Sequence, residues 1–277
     1  MFTPQHPRKK SAAAWNAVAL FCICLVGLSC SSRQKAVRVG GYEIDSVVLD
    51  STLALTTAEG APRCKLSLHL HYLKEEKANK MNDTLLRAGV LTPDYFSLSR
   101  EKLSVKALVD SFAGRYLQEY LDEYGPLYRA DQEHASSYNV EYQVHSRFEE
   151  GDDDILNYFT EVYTYGGGMH GIKQTLVLNI DTRKGNIIRL EDLFEEDAAQ
   201  KLAELITEQF CQQLKVKSLE ELREKGLFVN TDVYASGNFV LSKKSLTFIY
   251  GEDEIAPHDQ GAFRIEISKK DLKGLLK

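Results

Sequence analysis

Near the middle of the chain, three consecutive glycines run into a lone histidine in the stretch YGGGMHG at 165–171. Glycine permits positive φ and close backbone approach. Such a loop can form a nest of backbone N–H groups that faces an anion or a ligand carbonyl. It can equally be a bulged bend between two strands. It is not a phosphate loop, because no Lys-Ser/Thr and no helix follow it. His170 has the chemistry of a general base or a metal ligand, but no partner stands beside it in the sequence. The candidates are Glu254 and His258 in GEDEIAPHDQG at 251–261. Two histidines and a carboxylate can hold zinc with one position open. His69 and His71 stand two apart on a strand and face the same way. That pair needs a third ligand, none is evident from sequence, and the polar face of an edge strand is the simpler reading. Five acids surround one glycine at 149–154. Calcium takes oxygen ligands, but the EF-hand spacing is absent and a solvated hairpin tip fits better. GxSxG and HExxH are absent. No catalytic residue, metal site or cofactor is assigned, and the chain reads as a binding protein rather than an enzyme.

Alternation and turn residues outline the elements that must carry these groups. Segments 41–55 and 63–73 read as strands; in the second, Leu66, Leu68, Leu70 and Tyr72 alternate with Ser67, His69 and His71. Helical spacing predicts helices over 76–90 and 103–124, the latter stopped by Gly125-Pro126. Strands follow at 138–148, 155–165, 175–180 and 186–190, a meander pattern that points to antiparallel pairing. The apolar stripe Leu202, Leu205, Ile206, Phe210 and Leu214 marks a helix within 192–215. A short helix at 219–222, a hairpin from 239–241 and 245–250, a strand at 263–267 and a terminal helix at 269–276 complete the expectation. The fold class is α+β: antiparallel sheets with helices packed on one face, in two lobes.

The N-terminus reads as a targeting segment. Arg8, Lys9 and Lys10 precede an apolar stretch over 12–26 that ends in GLSC at 27–30. About 15 apolar residues suit a signal peptide better than a spanning helix. The ending resembles a bacterial lipobox of the lax kind seen in Bacteroides-type bacteria. Gly27 stands where Leu is usual, and Cys30 would be the lipidated residue. Residues 30–37 would form a tether, and the rest would be anchored at a membrane surface without crossing it. Ser31 after the cysteine favours the outer membrane. The net charge is -6, and loss of the three leader cations would take it to about -9. A nucleic-acid partner is therefore excluded, since phosphate contact needs a basic face. The excess acid keeps the protein soluble and would also suit a cationic partner. Trp15, the only tryptophan, lies in the leader, but tyrosine remains as a flat face for a sugar. Cys64 and Cys211 remain beyond the leader and Cys30. Free thiols are the default for them.

Three landmarks in order resemble the PdaC/RsiV-like domain family. They are YTYGGGMHG at 163–171, NIDTRKGNIIRLEDLF at 179–194 and FIYGEDEIAPHDQGAFRIEISKKDL at 248–272. That family includes the extracytoplasmic part of a lysozyme-sensing anti-sigma factor and the non-catalytic N-terminal region of a peptidoglycan deacetylase. The resemblance implies an α+β domain at the cell surface that binds a cationic protein such as lysozyme, or a cell-wall glycan. It divides the chain into a signal peptide at 1–29, a tether at 30–37, an N-terminal PdaC-like lobe at 38–135 and a C-terminal RsiV-like domain at 136–277. The deacetylase catalytic domain has no counterpart here. Met169 replaces a small residue of the family pattern, and His258 replaces a tyrosine. The residues expected to touch a ligand are Tyr165, Gly167, Met169, His170, Glu254, Pro257 and His258. A metal-dependent hydrolase using His170, Glu254 and His258 and a purely structural envelope lipoprotein are the alternatives.

Overall fold

The computed structural model describes residues 37–277 other than Arg100. The signal peptide, Cys30 and almost all of the tether lie outside the described residues. The fold is α+β, as the alternation of strand and helix patterns implies. Seven strands form one sheet in chain order: β1 (Arg38–Val39), β2 (Tyr42–Ala54), β3 (Arg63–Leu73), β4 (Val140–Glu150), β5 (Ile155–Tyr165), β6 (Ile172–Asp181) and β7 (Asn186–Ile188). Every neighbouring pair is antiparallel except β3 and β4, which are parallel. A parallel pair needs a crossover rather than a hairpin. The segment between these strands supplies one, with α1 (Asn79–Leu86) and the long α2 (Val105–Ala130). Residue 135, the expected boundary between lobe and domain, falls in this crossover, inside the span of the first sheet.

Both helices lie on one face of the sheet. Leu66, Leu68 and Leu70 of β3 point to that face, as do Tyr142 and Val144 of β4. Met81 and Leu85 of α1 and Leu108, Val109 and Phe112 of α2 close the core from the other side. Ser104 caps α2 by accepting the Ala107 N–H at 3.2 Å. The helix does not stop at Gly125-Pro126, contrary to expectation; Pro126 sits inside it. Proline disfavours helix in the residue before it through a clash with that residue's Cβ, and Gly125 has none. The lost N–H falls in the last turns, where one missing bond costs little cooperativity.

A second core gathers around a three-stranded antiparallel sheet, β8 (Phe239–Leu241), β9 (Ser245–Tyr250) and β10 (Phe263–Ser268). A short α3 (Leu190–Leu193) precedes the amphipathic α4 (Ala199–Leu214), which is the helix expected within 192–215. Leu202, Ile206 and Phe210 of α4 are buried in this core, and α5 (Leu219–Glu224) adds Leu222. The expected helix at 269–276 is a run of turns instead. Gly274 takes φ +90°, and Leu276 bridges back to Phe194. Burying both Leu272 and Leu275 there is worth more than the few bonds of an isolated helical turn.

Side-chain amides stitch the two sheets together. Asn179 donates to the Phe239 carbonyl and accepts from the Leu241 N–H, each at 2.8 Å. Asn238 accepts the Val177 N–H at 2.8 Å and donates to the Thr175 carbonyl at 2.6 Å. Asn157 donates to the Leu241 carbonyl at 3.3 Å. Phe159, Val177 and Ile249 fill a small apolar cluster between the layers. Cys64 and Cys211 are both free thiols, and burial pushes that of Cys64 up to about 11.

Candidate functional site

The glycine loop joins β5 to β6. The last cross-strand pair, Thr164 with Ile172, leaves 165–171 to make the turn. Tyr165 ends β5 opposite Glu141 of β4. One glycine is needed where it stands, and a second is crowded by a side chain. Gly167 has φ +77°, and a Cβ there would lie 2.0 Å from the Ser137 carbonyl oxygen. A Cβ on Gly171 would meet the Tyr163 ring at 2.4 Å. Gly166 and Gly168 face open space. The loop is thus pressed against another backbone at Gly167 and leaves its tip to solvent, where Met169 is fully exposed.

The second loop, 251–262, joins β9 to β10. The buried Ile255 pins its middle, and the Ile255 carbonyl accepts the Phe228 N–H at 2.8 Å. Pro257 precedes a single 3-10 turn over His258–Gln260. Gln260 ties that turn down by donating to the Lys225 carbonyl at 2.8 Å.

The two loops meet. The rings of His170 and His258 stack with centroids 4.0 Å apart and planes 22° from parallel. Glu252 reinforces the contact by accepting the backbone N–H of Lys173 at 3.1 Å. The edge of His258 is acidic: its Nδ1 lies 3.0 Å from Asp253 and 4.0 Å from Glu252. Sequence order separates these groups by almost 90 residues, and the packing of the second sheet against the first brings them together. Asp253 and Glu252 are the members that sequence reasoning missed; their place beside His258 in GEDEIAPHDQG was the available signal.

Glu254 does something else. Its carboxylate accepts the Tyr234 hydroxyl at 2.5 Å and the Gly251 N–H at 2.6 Å. Burial, and then this carboxylate, hold the Tyr234 phenol well above its usual range. Glu254 therefore shapes the loop from within. Among the described residues, no three histidine, cysteine or carboxylate groups are placed to hold a metal at this site. What the site offers is an exposed thioether at its tip, a stacked imidazole pair behind it and two carboxylates beside it. Ile172, Val229 and Tyr234 add exposed apolar area on the connected segments. This arrangement suits recognition of a cation or of hydrogen-bond donors.

The other sequence candidates also have definite places. The acidic turn at 149–154 is a hairpin tip cross-linked by cations: Lys243 reaches Asp153 at 3.2 Å, Lys269 pairs with Asp152, and Arg183 reaches Asp154 at 3.5 Å. His69 and His71 lie on β3, which is an internal strand flanked by β2 and β4 and not an edge. A third histidine, His145 of β4, stands beside them. Burial holds both His69 and His71 below the usual 6.5, with the neighbouring histidines adding to the effect.

Part of this geometry lies in a segment that matches a known family model. Residues 191–270 match the model described as a protein of unknown function, DUF3298. This is the PdaC/RsiV-like domain type that the three landmarks resemble. The match begins within the second landmark and takes in nearly all of the third, while the glycine loop precedes it. His258 thus lies inside the DUF3298 segment, and His170 is brought to it from the first sheet. A crystal structure of a DUF3298 family member from Bacteroides fragilis is similar over 86% of this chain and 95% of its own, with a TM-score of 0.75 and 25% identity. A DUF3298 family protein from Pseudomonas aeruginosa matches over 85% of this chain and 94% of its own, with a TM-score of 0.59 and 15% identity, a likeness of fold alone. No curated protein matches the chain.

Proposed function

We propose that this is a lipid-anchored cell-envelope protein, held at the outer membrane through Cys30, that binds a cationic protein such as lysozyme. The binding surface is the face built by the 165–171 and 251–262 loops. The observation that carries this reading is the His170–His258 stack, which fuses the two loops into one surface with Met169 at its tip and Glu252 and Asp253 at its side. An exposed apolar anchor rimmed by carboxylates suits a basic partner, with the charges steering encounter and fixing orientation. The net charge of -6 acts in the same direction. For the anchor, the supporting feature is GLSC at 27–30 behind a short apolar segment. Among the described residues no helix is long and apolar enough to cross a membrane. Binding is preferred to catalysis because Glu254 is committed to Tyr234 and Gly251 and the two imidazoles face each other.

The test is lysozyme binding to the immobilised full-length protein at low and high salt. Binding is expected to weaken as salt screens the carboxylate rim. Met169→Glu should weaken it roughly tenfold through loss of the apolar anchor. Capture of soluble wall glycan in place of lysozyme would move the reading to a glycan ligand. Absence of binding to either, or binding that Met169→Glu leaves unchanged, would remove the loop face as the site.

A further inference from the structure

Three histidines from two strands meet on the face of the first sheet opposite the helices. His69 and His71 project from β3, and the parallel register pairs His69 with His145 of β4. The ring centroids are 4.7 Å apart for His69 and His71, 4.7 Å for His69 and His145, and 5.9 Å for His71 and His145. Half of the histidines beyond residue 30 stand in this one patch, which a merely polar sheet face does not require.

The backbone explains why they converge. The β3–β4 ladder ends at the His69–His145 pair. Past it, the Ser146 hydroxyl accepts the His71 N–H at 2.8 Å, and the Tyr158 hydroxyl donates to the His71 carbonyl at 3.1 Å. Side chains thus replace the ladder where the strands part. The His71 ring is half-buried at that point, and its Nδ1 has no hydrogen-bond partner. His145 is exposed. Around the three stand Val48 of β2, exposed beside His69, and Glu161 of β5, which pairs with His145 but is held by Arg147 at 2.8 Å.

We propose that His69, His71 and His145 form a binding site for a divalent transition-metal ion of the imidazole-preferring kind, with zinc as the test case. Zinc–nitrogen bonds are about 2.0–2.1 Å, so imidazoles sharing one tetrahedral ion have ring centres roughly 5 Å apart. The three observed separations bracket that value. In the rotamers shown, the ligating nitrogens of no three such groups among the described residues converge on one point. Binding therefore requires the rings to turn about χ2, whose wells are broad for histidine. The exposed His145 has the freedom to turn. Three protein ligands leave the fourth position to water or to a donor from outside the chain. The loop site plays no part in this assignment, and no reaction is implied by it.

The experiment is titration of the full-length protein in detergent with zinc at neutral pH, followed by calorimetry and by competition with a chromophoric chelator. One zinc per chain is expected to bind. His145→Ala and His69→Ala should each weaken it at least about tenfold. Zinc should raise the melting midpoint of the natural protein and leave that of His145→Ala unmoved. Because His145 is exposed, the metal-free midpoint of that variant should match the natural one, which separates loss of a ligand from loss of fold. The double variant His170→Ala/His258→Ala should bind zinc as the natural protein does. Absence of saturable binding, affinity in His145→Ala and His69→Ala unchanged from the natural protein, or loss of binding in the loop double variant would overturn the proposal.

Discussion

Gly167 and its neighbours separate two reasons for glycine within three residues. Gly166 and Gly168 look into open space, whereas a Cβ at Gly167 would occupy the position of the Ser137 carbonyl, on a backbone already at positive φ. Alanine at 167 must therefore move the loop off Ser137 or strain it, at a cost of about 2–3 kcal/mol. Alanine at 166 or 168 should fall within roughly 0.5 kcal/mol of the natural protein. Urea midpoints for the three variants measure this directly. Equal costs at all three positions would mean that the approach to Ser137 does not constrain the loop. At this scale the sequence was readable only in part. A triple glycine signals a bend, but which glycine is obligatory depends on a backbone segment some thirty residues earlier. The same holds for His145. The alternation of Tyr138, Val140, Tyr142 and Val144 already put it on the face opposite the core. Only the parallel register, invisible in sequence, put it beside His69.

Elements were the most legible scale where a two-residue period and a turn signal coincided. The segments 63–73, 155–165, 239–241 and 245–250 are strands with the expected bounds, because turn residues delimit them, and in 63–73 alternating burial also fixes the register. Legibility failed where a tertiary partner decides. Pro126 is tolerated because glycine precedes it. The C-terminal residues forgo a helix so that Leu272 and Leu275 can be buried. The inter-sheet seam was not foreseen at all, since asparagine in a strand carries no periodic signal. Yet Asn179 supplies both a donor and an acceptor to β8 in a buried setting, standing in for a neighbouring strand. Asn179→Ala leaves the Phe239 carbonyl and the Leu241 N–H without those partners. The expected loss is about 2–6 kcal/mol, from an unsatisfied penalty of roughly 1–3 kcal/mol for each group. A urea-midpoint change below about 1 kcal/mol would mean that water reaches the seam.

At the scale of the whole molecule, that seam decides whether two cores behave as one. The first core lies under α1 and α2, the second around β8–β10, and among the described residues no buried one belongs to both. Contact between them includes three asparagines, the small cluster of Phe159, Val177 and Ile249, the packing of Ile155 and Ile188 of the first sheet against the second core, and the cation links to the acidic turn. The stacked histidines lie across the same division, one on each side. If the seam couples the cores, urea should unfold the protein in a single transition, with coincident curves from far-ultraviolet circular dichroism and tyrosine absorbance. Weakening the seam through Asn179→Ala together with Asn238→Ala should then separate the curves, because neither core loses its own packing. Two transitions in the natural protein would mean that each core is stable without the other. The surface at the glycine loop would then be an interface between independently folding parts, and its geometry would depend on how firmly they dock.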